Sequence, residues 1–360
     1  MEPVNTTLKD IARELGVSAT TVHRALSGSG RVSEQTRKRV AQLAREKGYR
    51  SNYVASSLKR KNLRIAIALP EPVEENRYYY LAIWKGIRNY LDTVQGFNVQ
   101  SLEFSYPLTP AGNGMALKEI YERHANEIDG LLTIPNDHAQ SSFFMEKLAE
   151  SGVPIVTIGM DSHKKSRFCC VKSRNDIAGQ LAAEMLTAYH PPDMKKKIMV
   201  TGDQIGSLNM PDQYKNSSGF ERYIEQNAPN ATLLRAYNPN TGQAFLQMKE
   251  LLIENPDAYA IYSCSARHTI QMCKAVAEAG MTGKVKLIGN DCFEESYQLL
   301  SEGVLTAIID KKILRQGSLA METLFNYVVK SEYPSSGVLY VRPSIVMRSN
   351  LNEEGWFNQE

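Results

Sequence analysis

The spacing of apolar residues divides the chain into two unlike parts. Before residue 50 they recur at helical spacing in three short stretches that Gly and Ser separate, which predicts three helices. From residue 63 onward short apolar runs alternate with helical stretches: "RIAIAL", "FNVQSLEF", "GLLTI", "PIVTIG", "KIMVTG", "AIYSC", "VKLIG" and "LTAII". Such runs are typical of parallel strands buried on both faces of a sheet. The pattern predicts an all-α head and an α/β body of two subdomains, with a ligand cleft at the carboxyl ends of the strands.

The first two predicted helices of the head lie close together in the sequence. The first ends at Gly16, because glycine tolerates the left-handed backbone of a sharp exit. Ser18 is placed to cap the second helix by accepting a backbone N–H bond. Two helices joined by so tight a turn predict a helix-turn-helix, with inward positions Leu8, Ile11, Ala12, Leu15, Val22, Ala25 and Leu26.

The outward face of the second helix carries Ala19, Thr20, His23 and Arg24. A helix that enters the major groove needs short leading side chains, and Arg, Thr and His supply groups that bind base edges or phosphates. This face therefore indicates DNA recognition. The alternative is an ordinary helical hairpin whose polar face meets water.

A third helix is predicted in "VSEQTRKRVAQLAREKGY", with Thr36, Val40 and Leu43 on its inner face. Arg31 and Ser33 stand near its start, where free N–H groups and the helix dipole favour a phosphate. Ser33 as a structural cap and Ser33 as a phosphate contact are compatible interpretations.

The connector, residues 51–62, reads "SNYVASSLKRKN". A helix this short is marginal in water, so we expect it to form only with a partner. Leu58, followed by three basic residues, has the chemistry of a minor-groove wedge; a plain basic linker is an equal alternative. The expected domains are therefore residues 1–50, 51–62 and 63–360.

Charge is distributed unevenly along the chain. Residues 1–61 hold thirteen Lys and Arg against five Asp and Glu, whereas the rest holds 29 against 34. A basic head on a mildly acidic body suggests that the head meets a polyanion, with a solvated basic surface as the alternative.

The chain lacks the sequence motifs of other function classes. The five cysteines form no CxxC pair, the six His are scattered, and GxSxG, HExxH, P-loop and GxGxxG are absent, so we expect neither an enzyme nor a metal or other cofactor. Without a long apolar run or a signal-peptide pattern, we expect no membrane contact and a cytoplasmic protein. A secreted solute-binding protein would need such a signal, and a nucleoid-type architectural protein would not need the large body.

The stretches "TLKDIARELGVSATTVHRALSGSGRVSEQTRKRV" and "GYRSNYVASSLKR" resemble the DNA-binding head and hinge of the LacI/GalR bacterial transcription regulators. The resemblance implies that Ala19, Thr20 and Arg24 contact bases and that Leu58 enters the minor groove. Two positions depart from the family pattern, since His23 replaces a Ser and Ser51 replaces a Pro. The DNA-binding residues expected in all are Ser18, Ala19, Thr20, Thr21, His23, Arg24, Arg31, Ser33, Asn52, Ala55 and Leu58.

The body is similar to the type I periplasmic sugar-binding proteins, which supply the effector domain of that family. The similar stretches include "GIRNYL", "GVPIVTIG", "NDIAGQLAAEML", "IGNDCFEESYQLL" and "LTAIIDKKILRQG". In that fold the chain crosses between two subdomains three times. This implies an N-subdomain of about 63–172 and 312–338, and a C-subdomain of about 173–311 and 339–360.

The same resemblance points to effector-binding positions. Tyr79 and Tyr80 stand where aromatic rings stack on a sugar, Asp291 where a carboxylate accepts from sugar hydroxyls, and Lys311 at a polar hinge position. Three further positions differ from the usual residues and imply an unusual pocket; they are Met160, Asn216 and Ser265. An ordinary core or surface role is the alternative for each.

Together these features predict a sequence-specific transcriptional regulator, a repressor of carbohydrate-uptake or catabolic genes. We expect it to bind a pseudo-palindromic operator as a homodimer, with a tetramer left open, and to respond to a sugar, polyol or sugar acid. The alternatives are a sensor of the same fold without a gene-regulatory role, and a corepressor-dependent regulator of non-sugar metabolism.

Overall fold

The computed structural model describes residues 8–27, 32–47, 63–188, 195–202 and 217–351. Its head contains α1 (Leu8–Leu15), α2 (Ala19–Ser27) and α3 (Glu34–Glu46). Gly16 has a φ of +67°, and the N–H of Val17 donates to the carbonyl of Ala12 at 3.0 Å, which closes the first helix. The buried side chains of the head are Ile11, Ala12, Val22, Ala25, Val40 and Ala44. The three predicted helices are confirmed.

The first half of the body is built on a six-stranded parallel sheet. Its strands are β1 (Leu63–Pro70), β2 (Val99–Tyr106), β3 (Gly130–Thr133), β4 (Ile155–Ile158), β5 (Cys169–Ser173) and β11 (Val338–Val341), in the spatial order β11-β5-β4-β3-β1-β2. Four helices cover it: α4 (Arg77–Thr93), α5 (Gly112–His124), α6 (Ala139–Glu150) and α12 (Ile313–Lys330). Residues of β1 alternate between the two faces, with Ile65 and Ile67 packing in one core and Ala66 and Ala68 in the other.

The second half repeats this plan around another six-stranded sheet. Its strands are β6 (Lys197–Gly202), β7 (Thr232–Tyr237), β8 (Ala258–Ser263), β9 (Lys286–Asn290), β10 (Ala307–Asp310) and β12 (Ser344–Val346), in the order β12-β10-β9-β8-β6-β7. Only β12, among the described strands, runs antiparallel to its neighbour. The helices are α7 (Asn175–Thr187), α8 (Ser218–Asn227), α9 (Thr241–Glu254), α10 (Ala266–Glu278) and α11 (Glu294–Ser301). The predicted two-subdomain α/β body is confirmed.

All eight runs predicted as strands form strands, while β5, β7, β11 and β12 were not predicted. The chain crosses between the sheets after β5, after β10 and between β11 and β12. The last crossing corrects the boundary expected near residue 338, because Val338–Val341 pair in register with Cys170–Ser173 of the first sheet. The division into head, connector and body otherwise stays a prediction.

Glycine allows the main helix pairs of both subdomains to approach closely. Between α4 and α12, a Cβ added at Gly86 would collide with the carbonyl of Leu314. Between α7 and α8, a Cβ added at Gly219 would collide with the carbonyl of Asp176. Within the described ranges, no helix is both long and apolar enough to cross a membrane.

Candidate DNA-binding head and effector cleft

Ser18 ends the turn of the helix pair and caps α2. Its hydroxyl oxygen accepts the N–H of Thr21 at 3.0 Å and lies 2.8 Å from the hydroxyl of the same residue. Ala19 and Thr20, in the first turn of α2, are exposed, and Thr21 is half-buried. The start of α2 therefore presents small side chains to solvent, as entry into a groove requires.

The start of α3 is built in the same way. The hydroxyl of Ser33 accepts the N–H of Thr36 at 3.2 Å, and Ser33 itself is exposed. This geometry establishes the cap, while the phosphate contact stays a prediction. His23 and Arg24 lie within α2. Five predicted site residues lie outside the described residues: Arg31, Asn52, Ala55, Leu58 and Asn216.

The carboxyl ends of the two sheets face each other, and a buried pair of opposite charges, Asp291 and Lys311, lies at the end of the second sheet. Asp291 follows β9 in a left-handed conformation with φ +66°, and Lys311 follows β10. The Nζ atom of Lys311 lies 3.2 Å from Oδ2 of Asp291. Among the described residues Oδ1 of Asp291 has no hydrogen-bond partner, although the side chain is fully buried. A buried carboxylate oxygen without a partner favours a ligand that donates hydrogen bonds.

Burial dominates the ionisation of this carboxyl. It raises the pKa of Asp291 to about 6; the Lys311 ammonium opposes the rise and the Asp310 charge adds to it. The preceding residue, Asn290, is the last of β9 and donates from Nδ2 to the hydroxyl of Tyr262 at 2.9 Å. Its Oδ1 is buried and, like Oδ1 of Asp291, has no partner among the described residues.

Tyr79 and Tyr80 lie in the first turn of α4, on the opposite side of the cleft. Their rings meet edge to face with centroids 5.2 Å apart. Burial raises the pKa of Tyr79, and the charges of Tyr80 and Asp291 add to the rise. One side of the cleft therefore offers an aromatic face and the other a hydrogen-bond acceptor.

Met160 follows β4 and is half-buried, and the residue before it, Gly159, lies close to the hydroxyl of Tyr79. The thiol of Cys170 donates to its carbonyl at 3.5 Å, and Cys170 is also an electrostatic neighbour of Tyr79. The loop after Met160 is fixed by a buried ion pair in which Nε of Arg167 donates to Asp161 at 2.7 Å. Arg167 also donates to the carbonyl of Gly337 at 2.6 Å, which ties this loop to the chain just before β11.

Ser265 precedes α10 and belongs to a buried polar chain. Its hydroxyl lies 2.8 Å from Nδ1 of His268, and Nε2 of His268 lies 2.7 Å from the carbonyl of Asn238. Because a carbonyl only accepts, Nε2 donates, and a neutral imidazole then accepts from the serine hydroxyl. The carbonyl of Ser265 also accepts from Thr269 at 3.2 Å, and Oγ1 of Thr269 accepts the N–H of Asn290 at 3.0 Å. This chain positions the carboxyl end of β9, while Ser265 is committed to its own network.

Residues 72–332 match the periplasmic binding protein domain, and residues 7–52 match the lacI family of bacterial regulatory proteins. The body therefore belongs to the periplasmic binding protein domain family, and the head is a lacI-family domain.

Relatives of this chain carry the names of regulators. The chain is 25% identical to the ribose operon repressor of Haemophilus influenzae, over 96% of this chain and 98% of that protein. It is 26% identical to catabolite control protein A of Priestia megaterium, over 92% of this chain and 96% of that protein. The match to the ribose operon repressor of Lactococcus lactis, also 26% identical, covers 60% of this chain and 59% of that protein.

Solved structures share the fold of the body. An ABC transporter solute-binding protein from Burkholderia graminis in complex with D-arabinose has a TM-score of 0.69 and 18% identity, covering 81% of this chain and 97% of that one. An ABC transporter solute-binding protein from Actinobacillus succinogenes with bound D-allose has a TM-score of 0.68 and 19% identity, covering 81% of this chain and 100% of that one. At these identities the likeness shows the fold alone.

The structure brings some of the predicted cleft residues together and leaves others apart. Asp291 and Lys311 form a pair, Tyr79 and Tyr80 form another, and the charge of Asp291 reaches Tyr79. His268, Asn290 and the contacts of Tyr78 were not predicted from the sequence. For Tyr78 a signal was present, since it belongs to the same "YYY" run. No group of three or more His, Cys, Asp or Glu in the described part of the chain is arranged to hold a metal.

Proposed function

We propose that the chain is a sequence-specific transcriptional repressor of genes for carbohydrate uptake or catabolism, controlled by a sugar-type effector. The head reads operator half-sites, and the effector binds between the two subdomains. The protein acts in the cytoplasm as a homodimer, because two heads related by a two-fold axis match a pseudo-palindromic site.

One observation carries the proposal: a helix-turn-helix head is joined to a cleft that holds a buried carboxylate with an unpartnered oxygen. Oδ1 of Asp291 needs a hydrogen-bond donor, and the rings of Tyr79 and Tyr80 lie on the other side of the cleft. A sugar fits both demands, because its hydroxyls donate and its C–H faces pack on aromatic rings. The names of the ribose operon repressors and the D-arabinose and D-allose of the solved neighbours support this ligand class.

The DNA-binding part is tested by selecting operator duplexes from a random pool with the full chain and then measuring affinity for single-base variants. Arg24→Ala is expected to lose about 1–3 kcal/mol and to relax discrimination at one base pair. Arg13→Ala is the matched control, since this exposed α1 residue removes the same charge away from α2. If Arg24→Ala keeps full discrimination, Arg24 does not read a base; if no duplex is enriched, the regulator proposal fails.

The effector part is tested by thermal unfolding of the full chain with D-ribose, D-arabinose, D-allose, D-glucose, polyols and sugar acids. A ligand at about 100 times its dissociation constant adds roughly 2.7 kcal/mol, which is a visible shift. Asp291→Asn is expected to remove the shift, whereas Asp257→Asn, at an exposed residue of the same subdomain, is expected to keep it. A panel without any hit would exclude a sugar-type effector.

A further inference from the structure

The two subdomains touch each other outside the candidate ligand positions. The contact joins the start of α4 to α10 and α11 and is called the interdomain latch here. Its residues are Glu75, Arg77 and Tyr78 on the first subdomain and Gln271, Phe293 and Glu295 on the second.

An ion pair forms the outer part of the latch. The guanidinium of Arg77 donates to Oε1 of Glu295 at 2.6 Å, across the cleft. The same guanidinium donates to the carbonyl of Glu74 at 2.7 Å and to the hydroxyl of Tyr78 at 3.1 Å. These bonds within the first subdomain hold Arg77 in position to receive Glu295. Both charged side chains are about 40% exposed, so the pair is strong enough to bias an equilibrium and weak enough to break.

An aromatic stack forms the inner part. The rings of Tyr78 and Phe293 are nearly parallel, with centroids 4.3 Å apart. Both residues are buried, and together with Ala266 they form a small apolar cluster between the subdomains. The guanidinium of Arg77 lies 4.4 Å from the centroid of the Tyr78 ring, so the ion pair and the stack reinforce each other.

A third contact extends the latch to α10. Nε2 of Gln271 donates to Oε1 of Glu75 at 2.6 Å. Residues of one short segment, 75–78, therefore bind two different helices of the second subdomain. Such a contact, spread over several side chains, resists rotation of one subdomain against the other.

The latch lies next to the candidate ligand residues on both sides. Tyr78 precedes Tyr79, and Phe293 follows Asp291 by two positions. With the latch shut, Asp291 is fully buried. Because it is fully buried, we expect a ligand to reach this carboxylate only after the subdomains separate at this point.

We propose that the interdomain latch holds the cleft closed in the absence of any ligand and gates access to Asp291. The latch sets how much of the protein is open, and the open fraction limits the rate at which a ligand enters. In this way residues that need not touch the ligand control the apparent affinity of the cleft. Closure by the latch does not depend on whether the ligand is a sugar or another small molecule.

Single-molecule FRET on the full chain without sugar or DNA tests the latch. Dyes are attached to Leu108→Cys, just after β2, and to Gln243→Cys, in the first turn of α9 that follows β7; both positions are exposed. These strands lie at the sheet edges opposite β11 and β12, near which the chain crosses, so opening moves them most. The described native cysteines are buried, which directs the dyes to the introduced ones.

A dominant closed population is expected before any substitution in the latch. Arg77→Ala and Glu295→Ala are each expected to raise the ratio of open to closed molecules about two- to fivefold. The double variant should open no more than the stronger single variant, because both remove one shared contact. Arg88→Ala is the matched control: Arg88 lies on the same helix and donates to Glu103 of its own subdomain at 2.9 Å, and its loss should leave the ratio unchanged.

Charge exchange provides a second measurement. The pair Arg77→Glu and Glu295→Arg should restore part of the closure that either single reversal removes. A protein already open before substitution, an unchanged ratio in both alanine variants, or an equal effect of Arg88→Ala would each overturn the latch. Since neither sugar nor operator is present, these outcomes leave the proposed function untouched, and an empty sugar panel leaves the latch untouched.

Discussion

At the scale of single residues, Asp291 combines features that are costly for folding. It is a fully buried acid with a left-handed backbone, and its ammonium partner Lys311 is itself buried. Strained backbone and unpartnered polar groups accumulate where function requires them. The β9–β10 register holds this arrangement, because the N–H of Asp291 donates to the carbonyl of Ile309 at 2.9 Å.

This burial predicts how stability depends on pH. The pKa of Asp291 is raised from 3.8 to about 6, so the folded protein holds this proton more tightly than the unfolded chain. The resulting stabilisation is complete below the unfolded pKa and is lost as the pH rises through about 6, a change of about 3 kcal/mol. Asp291→Asn lacks this loss, so its unfolding free energy relative to the unsubstituted protein should increase between pH 4 and 7.5 in urea titrations.

Asp257→Asn is a control for which the pH dependence of stability should run in the opposite direction. A hydrogen bond from Lys197 lowers the pKa of Asp257, so its contribution is present at neutral pH and is lost on acidification. The unfolding free energy of Asp257→Asn, relative to that of the unsubstituted protein, should therefore rise towards low pH. A flat difference for Asp291→Asn across the range would show that the carboxyl titrates as it does in water.

At the scale of elements, the head has two helix caps, Ser18 and Ser33, which the sequence predicts and the structure shows. The cap at Ser33 allows the structural and DNA-contacting roles to be separated. Ser33→Ala should speed hydrogen exchange at the start of α3 about fivefold, the equivalent of a lost cap of about 1 kcal/mol. Ser33→Asp should keep the exchange near its original rate, because Asp is a good cap, yet weaken operator binding by repelling a phosphate.

Gln42→Glu is the matched charge control, at an exposed position more than two turns along α3. It adds the same charge away from the helix start and should weaken operator binding less than Ser33→Asp does. If both substitutions weaken operator binding equally, Ser33 acts only as a helix cap and does not contact a phosphate.

Elements with a strong local pattern could be predicted, and those defined by distant partners could not. The run "RIAIAL" is nearly all apolar because β1 lies inside its sheet, whereas β7, "TLLRAY", holds a polar residue at each of two exposed positions and has no continuous apolar run. The short strands β11 and β12 exist because they pair with β5 and β10, each reached over a long sequence distance. Asp291 was found through its "GND" context, but the Arg77–Glu295 contact joins residues 218 positions apart and depends on the closed cleft.

At the scale of the whole molecule, three chain crossings turn closure of the cleft into a movement of one subdomain against the other. The crossings follow β5, β10 and β11 and lie on one side of the sheets, so they act as a hinge opposite β2 and β7. A ligand that binds only the closed form shifts the protein towards it, whereas one with equal affinity for both forms shifts nothing. Operator binding and effector binding then influence each other by the same factor.

Fixing the closed form by a covalent link tests this coupling directly. In Arg77→Cys with Glu295→Cys, a short bis-maleimide joins the subdomains at the latch, and the buried native cysteines stay unmodified. Because the linked protein no longer exchanges between open and closed forms, a sugar found in the thermal panel should lose its effect on operator affinity. The same protein without linker should respond to that sugar. A response that survives the link would mean that the effector signal reaches the head without movement of the subdomains, through a path that does not include the cleft opening.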